Sequence, residues 1–156
     1  MREGGLSVSA EENKALVRRW FEELFNQAKL DLADEIVTPD HVTHDTSTPE
    51  HLPGPEGERQ LVNLVRGAFP DGRITIEDLV AEGDRVAVRW TFRGTHRGEF
   101  MGVAPTGKEV EMGAMDLFRV AGGKIAETWS NVDMMTMMRQ LGAIPTPARS
   151  GESGPT

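Results

Sequence analysis

The strongest constraint on the fold lies in residues 108–133, KEVEMGAMDLFRVAGGKIAETWSNVD, which have the pattern of two long β-strands joined by a tight turn. In the first strand, alternation places on one face Val110, Met112, Ala114, Asp116, Phe118 and Val120. The turn contains Gly122 and Gly123, which tolerate the positive φ of a tight hairpin. In the second strand, alternation places on one face Ile125, Glu127, Trp129, Asn131 and Asp133. These carboxylates, the indole and the amide exceed what a dry core tolerates, so the two strands predict a wall of a cavity.

The first half of the chain has helical periodicity. Ser9 is the expected N-cap of a first helix, with Glu12 three residues later as in a capping box. Apolar residues then recur every three or four positions as far as Asn26, and shorter patterns predict helices over residues 30–36 and 58–69. The Pro- and Gly-rich segment 46–57 is expected to be a loop at the cavity rim.

Strand patterns dominate the second half. Residues 73–81 and 85–95 predict an antiparallel hairpin, and in its second strand one face carries Val86, Val88, Trp90 and Phe92. A Gly- and Pro-rich loop, residues 98–107, leads to the two strands predicted within residues 108–133. A short helix is expected over residues 134–141, before Gly142. Helices followed by a four-strand meander predict an α+β fold, with helices on one face of the sheet. We expect one domain over residues 9–145, with disordered tails over residues 1–8 and 146–156.

The segment His41–Asp45 contains two candidate site histidines. If Val42 faces the core, His44 shares its face, whereas His41 lies on the opposite face with Thr43. Each histidine is open to a structural role or to a role in lining the cavity. His44 is the candidate to hydrogen-bond a substrate carbonyl or to stabilise an enolate. His51 and His96 lie in turn-rich segments, so we expect both to be exposed.

Composition and missing motifs exclude several functions. The net charge of −8 argues against nucleic acid or an anionic membrane as a partner, and no apolar run approaches the roughly 20 residues of a membrane span. The chain has no cysteine, no phosphate-binding loop and no dinucleotide fingerprint, so we expect no cofactor. His41, His44 and Asp45 are too loosely spaced to predict a metal site. Without a signal-peptide pattern, a cytoplasmic location is expected.

Five motifs resemble the SnoaL-like polyketide cyclase (ester cyclase) family, of the nuclear-transport-factor-2-like superfamily. They are AFPD (68–71), EGDRVAVRW (82–90), GTHRGEFMG (94–102), PTGK (105–108) and FRVAGGKIAETW (118–129). The resemblance covers roughly residues 10–145. It implies a cone-shaped, cystatin-like fold in which a curved antiparallel sheet of four long strands and a short one wraps around N-terminal helices, often in a dimer. It also implies cofactor-free ring closure by intramolecular aldol condensation.

By this resemblance, Asp133 in the Trp-x-x-x-Asp ending of the last strand is the candidate acid/base, with Asp116 on the neighbouring strand. Burial of Asp133 beside Trp129 and a second carboxylate would raise the pKa of the Asp133 carboxyl group. The alternative for Asp133 is an N-cap of the following helix. The predicted catalytic residues are therefore Asp133, Asp116 and His44, and the predicted substrate-binding residues are Trp129, Trp90, Phe118, Met112, Asn131 and His41.

The main hypothesis is a cyclase acting on a small hydrophobic carbonyl compound. A binding module without catalysis is the alternative, together with an isomerase or dehydratase of the same fold. The outer face of the sheet mixes apolar and charged residues, which predicts a homodimer formed sheet to sheet, with Arg89 and Arg119 near Glu109 or Glu111.

Overall fold

The computed structural model describes residues 2–45, 47 and 50–145, with side-chain positions from Ser9 onward. Its α-helices are α1 (Arg2–Arg19), α2 (Ala33–Ile36), α3 (Gly54–Ala68) and α4 (Met134–Leu141). A π-helical segment, Trp20–Phe25, continues α1, and a 3₁₀ turn, Leu30–Leu32, precedes α2. The strands are β1 (Val37–Asp45), β2 (Arg73–Glu82), β3 (Arg85–Thr95), β4 (Glu109–Ala121) and β5 (Lys124–Val132).

The five strands form one curved sheet in the order β1-β5-β4-β3-β2. Strands β2 to β5 are an antiparallel meander, as predicted, whereas β1 pairs in parallel with β5. The sheet is therefore mixed. In the chain, β1 follows the N-terminal helices, and in the sheet it lies at the edge, beside the last strand, β5. The α+β class is confirmed.

The helices cover the concave face of the sheet and bury an aromatic core against it. Phe21 contacts both Trp90 and Phe118, with ring centroids 5.9 Å apart in each case. Phe25 packs edge-on against Phe92 at 6.3 Å. The apolar stripe predicted for the first helix therefore contacts the apolar faces predicted for β3 and β4, and burial of such side chains stabilises the fold by roughly 2 kcal/mol each.

Two helix boundaries differ from the predictions. Helix α1 begins at Arg2, so Ser9 lies inside it; residues 2–8 contain no proline, and nothing in their backbone chemistry requires a break there. Helix α3 begins at Gly54, with Pro55 in its first turn, where a missing N–H costs nothing. The predicted tail over residues 146–156 lies outside the described residues.

A β-bulge in β5 gives this strand a different pattern of inward and outward side chains from that of β4. Arg119 of β4 pairs with Glu127, but its neighbour Val120 pairs with Ile125, so Ala126 is one additional residue on β5. Before the bulge Ile125 faces the core; after it, the inward residues are Thr128, Ser130 and Val132. The bulge therefore reverses the alternation on which the predicted face of the second strand depends.

Candidate functional site

A cavity of about 170 Å³ lies between the sheet and the helices. Most of its lining is apolar and includes Phe69, Phe92, Phe100, Met112, Phe118 and Met137. Among the described residues, three carboxylates also line it, namely Asp45, Glu58 and Asp116, and no Lys, Arg or His does. A hydrophobic enclosure with a few polar groups is typical of a small-molecule site.

Asp116 lies on the cavity face of β4, where the alternation predicted it. Its Oδ1 accepts a 2.7 Å hydrogen bond from the hydroxyl of Ser130, the residue directly opposite on β5. Burial raises the pKa of the Asp116 carboxyl from its ordinary 3.8 to about 7; Ser130 opposes this rise, and the charges of Asp45 and Glu58 add to it. Asp116 is therefore a carboxyl group that can both lose and regain a proton near neutral pH.

Trp90 places its indole ring beside Asp116. The indole N–H lies close enough to the carboxyl to lower the pKa of Asp116, yet it makes no hydrogen bond of standard geometry within the described part of the chain. Together with Phe118 and Met112, Trp90 lines the cavity, as predicted for substrate-binding residues. Their roles in binding stay predictions.

A second carboxylate of the cavity, Glu58 of α3, has two hydrogen-bond partners. Trp20 donates its indole N–H to Oε1 at 3.0 Å, and His51 Nε2 lies 2.7 Å from Oε2. The side chains of His51 and Glu58 are each only 4% exposed. The expectation that His51 is exposed is therefore wrong, because the buried carboxylate of Glu58 gives its ring a hydrogen-bond partner away from solvent.

His41 is fully buried behind the cavity wall. Its Nε2 lies 2.9 Å from Oγ1 of Thr128, which lines the cavity, and burial lowers the pKa of His41 below its ordinary 6.5. His41 itself is not a lining residue. The structure thus places this predicted substrate-binding residue one layer behind the wall, where it supports Thr128.

His44 lies on the outer face of the sheet, so the prediction that it faces the cavity is wrong. Val42, the residue whose orientation the prediction assumed, is exposed, whereas His41, Thr43 and Asp45 of β1 point inward. His44 bonds to Glu127 at 2.7 Å and stacks on Trp129, with ring centroids 5.4 Å apart. The expectation that His96 is exposed is also wrong, because His96 is fully buried and accepts a hydrogen bond from the backbone N–H of Thr106.

Three further candidates, Trp129, Asn131 and Asp133, lie outside the cavity because of the bulge at Ala126. Trp129 is on the outer face, where Arg85 lies over its ring at 5.2 Å. The prediction that Asp133 shares a cavity with Asp116 is wrong, and the N-cap alternative is confirmed: its carboxylate accepts from the backbone N–H of Thr136 at 3.1 Å and from its hydroxyl at 2.7 Å. Those bonds lower the pKa of Asp133.

Six polar lining residues were not predicted from the sequence: Thr43, Asp45, Ser47, Glu58, Thr128 and Ser130. One of them had a visible signal. Glu58 lies three and four positions before Leu61 and Val62, so it extends the apolar stripe of its helix, where an acidic residue is unusual. Ser130 and Thr128 had none, since nothing in the local pattern marks a bulge.

The family model of the SnoaL-like polyketide cyclase matches residues 15–141, and the chain belongs to that family. It is 30% identical over 132 residues to the aklanonic acid methyl ester cyclase AcmA of Streptomyces galilaeus, covering 84% of this chain and 91% of that protein. It is 29% identical over 119 residues to the nogalonic acid methyl ester cyclase of Streptomyces nogalater, covering 76% and 89%. Among solved structures, IdmH of Streptomyces antibioticus superimposes with a TM-score of 0.71 at 37% identity, covering 83% of this chain and 98% of that one.

Two structural findings bear on other partners. Across residues 2–45, 47 and 50–145, no helix is long and apolar enough to cross a membrane. Within the same part of the chain, no three His, Asp or Glu side chains cluster in a way that would hold a metal ion.

Proposed function

We propose that this protein closes a ring in a neutral, hydrophobic polyketide ester by intramolecular aldol-type condensation, with Asp116 as the general base. One observation carries the proposal: Asp116 is a buried carboxyl group, its pKa is about 7, and it lies inside an apolar cavity. The two curated relatives act, by their names, on methyl esters of polyketide acids, which supports this class of substrate.

The chemistry requires removal of a proton from carbon. A carbon between two carbonyl groups is acidic enough for a carboxylate to deprotonate it when the pKa of that carboxylate is close to the working pH. Burial gives Asp116 this pKa, and Ser130 fixes the orientation of its carboxyl group. The indole N–H of Trp90, which makes no hydrogen bond of standard geometry to any described residue, is available to bond a developing enolate oxygen in an environment of low polarity.

The test compares two carboxylates with the same substitution. Purified native protein and its Asp116→Asn and Asp133→Asn variants are each given aklanonic and nogalonic acid methyl esters, and cyclised product is measured by chromatography. We expect Asp116→Asn to lower kcat by about 1,000-fold or more, since it removes the base. Asp133→Asn keeps a capping side chain outside the cavity and is expected to retain activity within about twofold.

The same assay separates the alternatives. Equal activity of Asp116→Asn and native protein would exclude the proposed role of Asp116. Binding of both esters in the cavity without turnover by the native protein would favour a binding module.

We also propose a cytoplasmic homodimer formed through the outer face of the sheet. This face exposes Val80 and Met115, at 63% and 60%. Arg89 and Arg119 were expected to meet Glu109 or Glu111 across or beside the interface; within the chain they pair instead with Asp78 and Glu127. Apolar contact would therefore hold such a dimer. A monomer mass at micromolar concentration, measured by light scattering, would contradict it.

A further inference from the structure

The pair formed by His51 and Glu58 has no part in the base chemistry of Asp116, although it borders the same cavity. Burying a carboxylate and an imidazole beside an apolar wall costs free energy unless both are paired. Here the pairing is complete for Glu58, because Trp20 and His51 each engage one of its oxygens. Glu58 lines the cavity, whereas His51 lies behind it, away from the lining.

The two hydrogen bonds define where a proton can be held. The indole N–H of Trp20 can only donate, so Oε1 of Glu58 is an acceptor. The 2.7 Å contact between Oε2 and His51 Nε2 contains one shared proton, held either by the imidazole or by the carboxyl group. Because Glu58 lines the cavity and His51 does not, the carboxyl group is the end of the pair that a substrate can reach.

Several titratable groups surround this pair. The titratable groups that interact with the pair from the sheet are His41 of β1 and Asp116 of β4, and Asp45 of β1 lines the same cavity. On its own helix, the cation Arg59 is directed outward and bonds to Asp34 and Glu56. In the part of the chain that the structure describes, no cationic side chain lines the cavity beside the pair.

We propose that Glu58 is a second catalytic residue, which gives a proton to the carbonyl oxygen of the substrate, with His51 positioning and recharging it. The inference rests on the proposed function. In the condensation, a C–H bond and the π bond of a carbonyl break, while a C–C bond and an O–H bond form. Asp116 accepts the proton from carbon, the pair supplies the proton to oxygen, and proton exchange through solvent or product restores both groups. No other reactant is consumed.

The native protein provides the first measurement, the dependence of kcat on pH with aklanonic acid methyl ester. Activity rises as Asp116 loses its proton and falls as the pair loses its own, so we expect a bell-shaped profile. A profile with a single ionisation, that of Asp116, would overturn the inference without requiring any variant to fold.

Variants then test which group causes activity to fall at high pH, the alkaline limb of the profile. Glu58→Gln keeps an acceptor for Trp20 but cannot donate an acidic proton; we expect kcat to fall about 100-fold, with KM within about threefold and the alkaline limb absent. His51→Gln keeps the Glu58 carboxylate and its bond to Trp20. We expect this variant to change the pH at which activity falls on the alkaline side, and to lower kcat by less than Glu58→Gln does. Glu56→Gln is the matched control, since Glu56 lies two residues away on the same helix but is exposed and bonds to Arg59.

Failures of the two proposals are distinguishable. If Asp116→Asn is inactive but Glu58→Gln keeps the native kcat and pH profile, the role of Glu58 is excluded and that of Asp116 stands. A fall in the stability of Glu58→Gln without change in its pH profile would show that the pair is structural. If the native protein cyclises neither ester, the proposed function fails, and the role of Glu58 fails with it.

Discussion

Strands β4 and β5 are neighbours of similar character, yet alternation describes only one of them. In β4, inward and outward residues alternate from Glu109 to Ala121 without interruption. In β5, the bulge at Ala126 divides the strand into two parts with opposite alternation. Asp116 was therefore placed correctly on the cavity wall, whereas Trp129 and Asn131 were placed on the wrong side. One additional residue decides which side chains a substrate can reach.

The first prediction concerns the deletion of Ala126, the change that disturbs the most structure. Without the additional residue, either Ile125 leaves the core or Thr128 and Ser130 leave the cavity, because a shift of one position reverses a face. We expect the free energy of unfolding in urea to fall by about 3 kcal/mol or more, the cost of losing one large buried side chain.

Ala126→Gly is the control for that deletion. It keeps the length of β5, so we expect a loss of about 1 kcal/mol or less. If deletion and substitution had equal effects, the number of residues in β5 would not determine its faces.

The second prediction compares the carboxylates of Asp116 and Asp133 through stability. Asp116 has a pKa of about 7 when folded and 3.8 as its ordinary value, so between these values the unfolded chain releases a proton that the folded chain keeps. This contribution to stability is complete below pH 3.8 and is lost as the pH rises through 7. Relative to native protein, Asp116→Asn should gain up to about 4 kcal/mol between pH 4 and pH 8.

For Asp133, the pH dependence of stability has the opposite sign to that of Asp116. Its pKa is lowered on folding, so its contribution is present above pH 3.8 and is lost on acidification. Asp133→Asn should therefore lose stability relative to native protein as the pH rises toward 3.8, and should change little above that pH. Urea unfolding from below pH 3.8 up to pH 8 measures both variants, and a parallel pH dependence of the two would contradict the assigned environments.

The third and smallest effect concerns two consecutive residues of β5, Ser130 and Asn131. Ser130→Ala removes the hydrogen bond to Asp116, which raises the pKa of that carboxyl further, by about one unit. The acid limb of the kcat profile should move upward by that amount. Asn131→Ala, on the exposed face, should leave the limb in place, and equal shifts would place both side chains on one side of the strand.

The sequence by itself determined the α+β class, the positions of the four strands β2 to β5 and the cavity face of β4. Such features depend on alternation and on turn residues such as Gly122 and Gly123, whose φ values of 58° and 79° match the predicted tight turn. The N-cap alternative for Asp133 was also visible, since capping involves residues three positions apart.

Only the tertiary structure decided the remainder of the candidate site. The inward face of β1 depends on its parallel pairing with β5, and the inward face of β5 depends on its register with β4. The bond between Trp20 and Glu58 joins residues 38 positions apart. Such contacts leave no local periodicity, because their stabilisation comes from pairing and burial between segments that are distant in the chain.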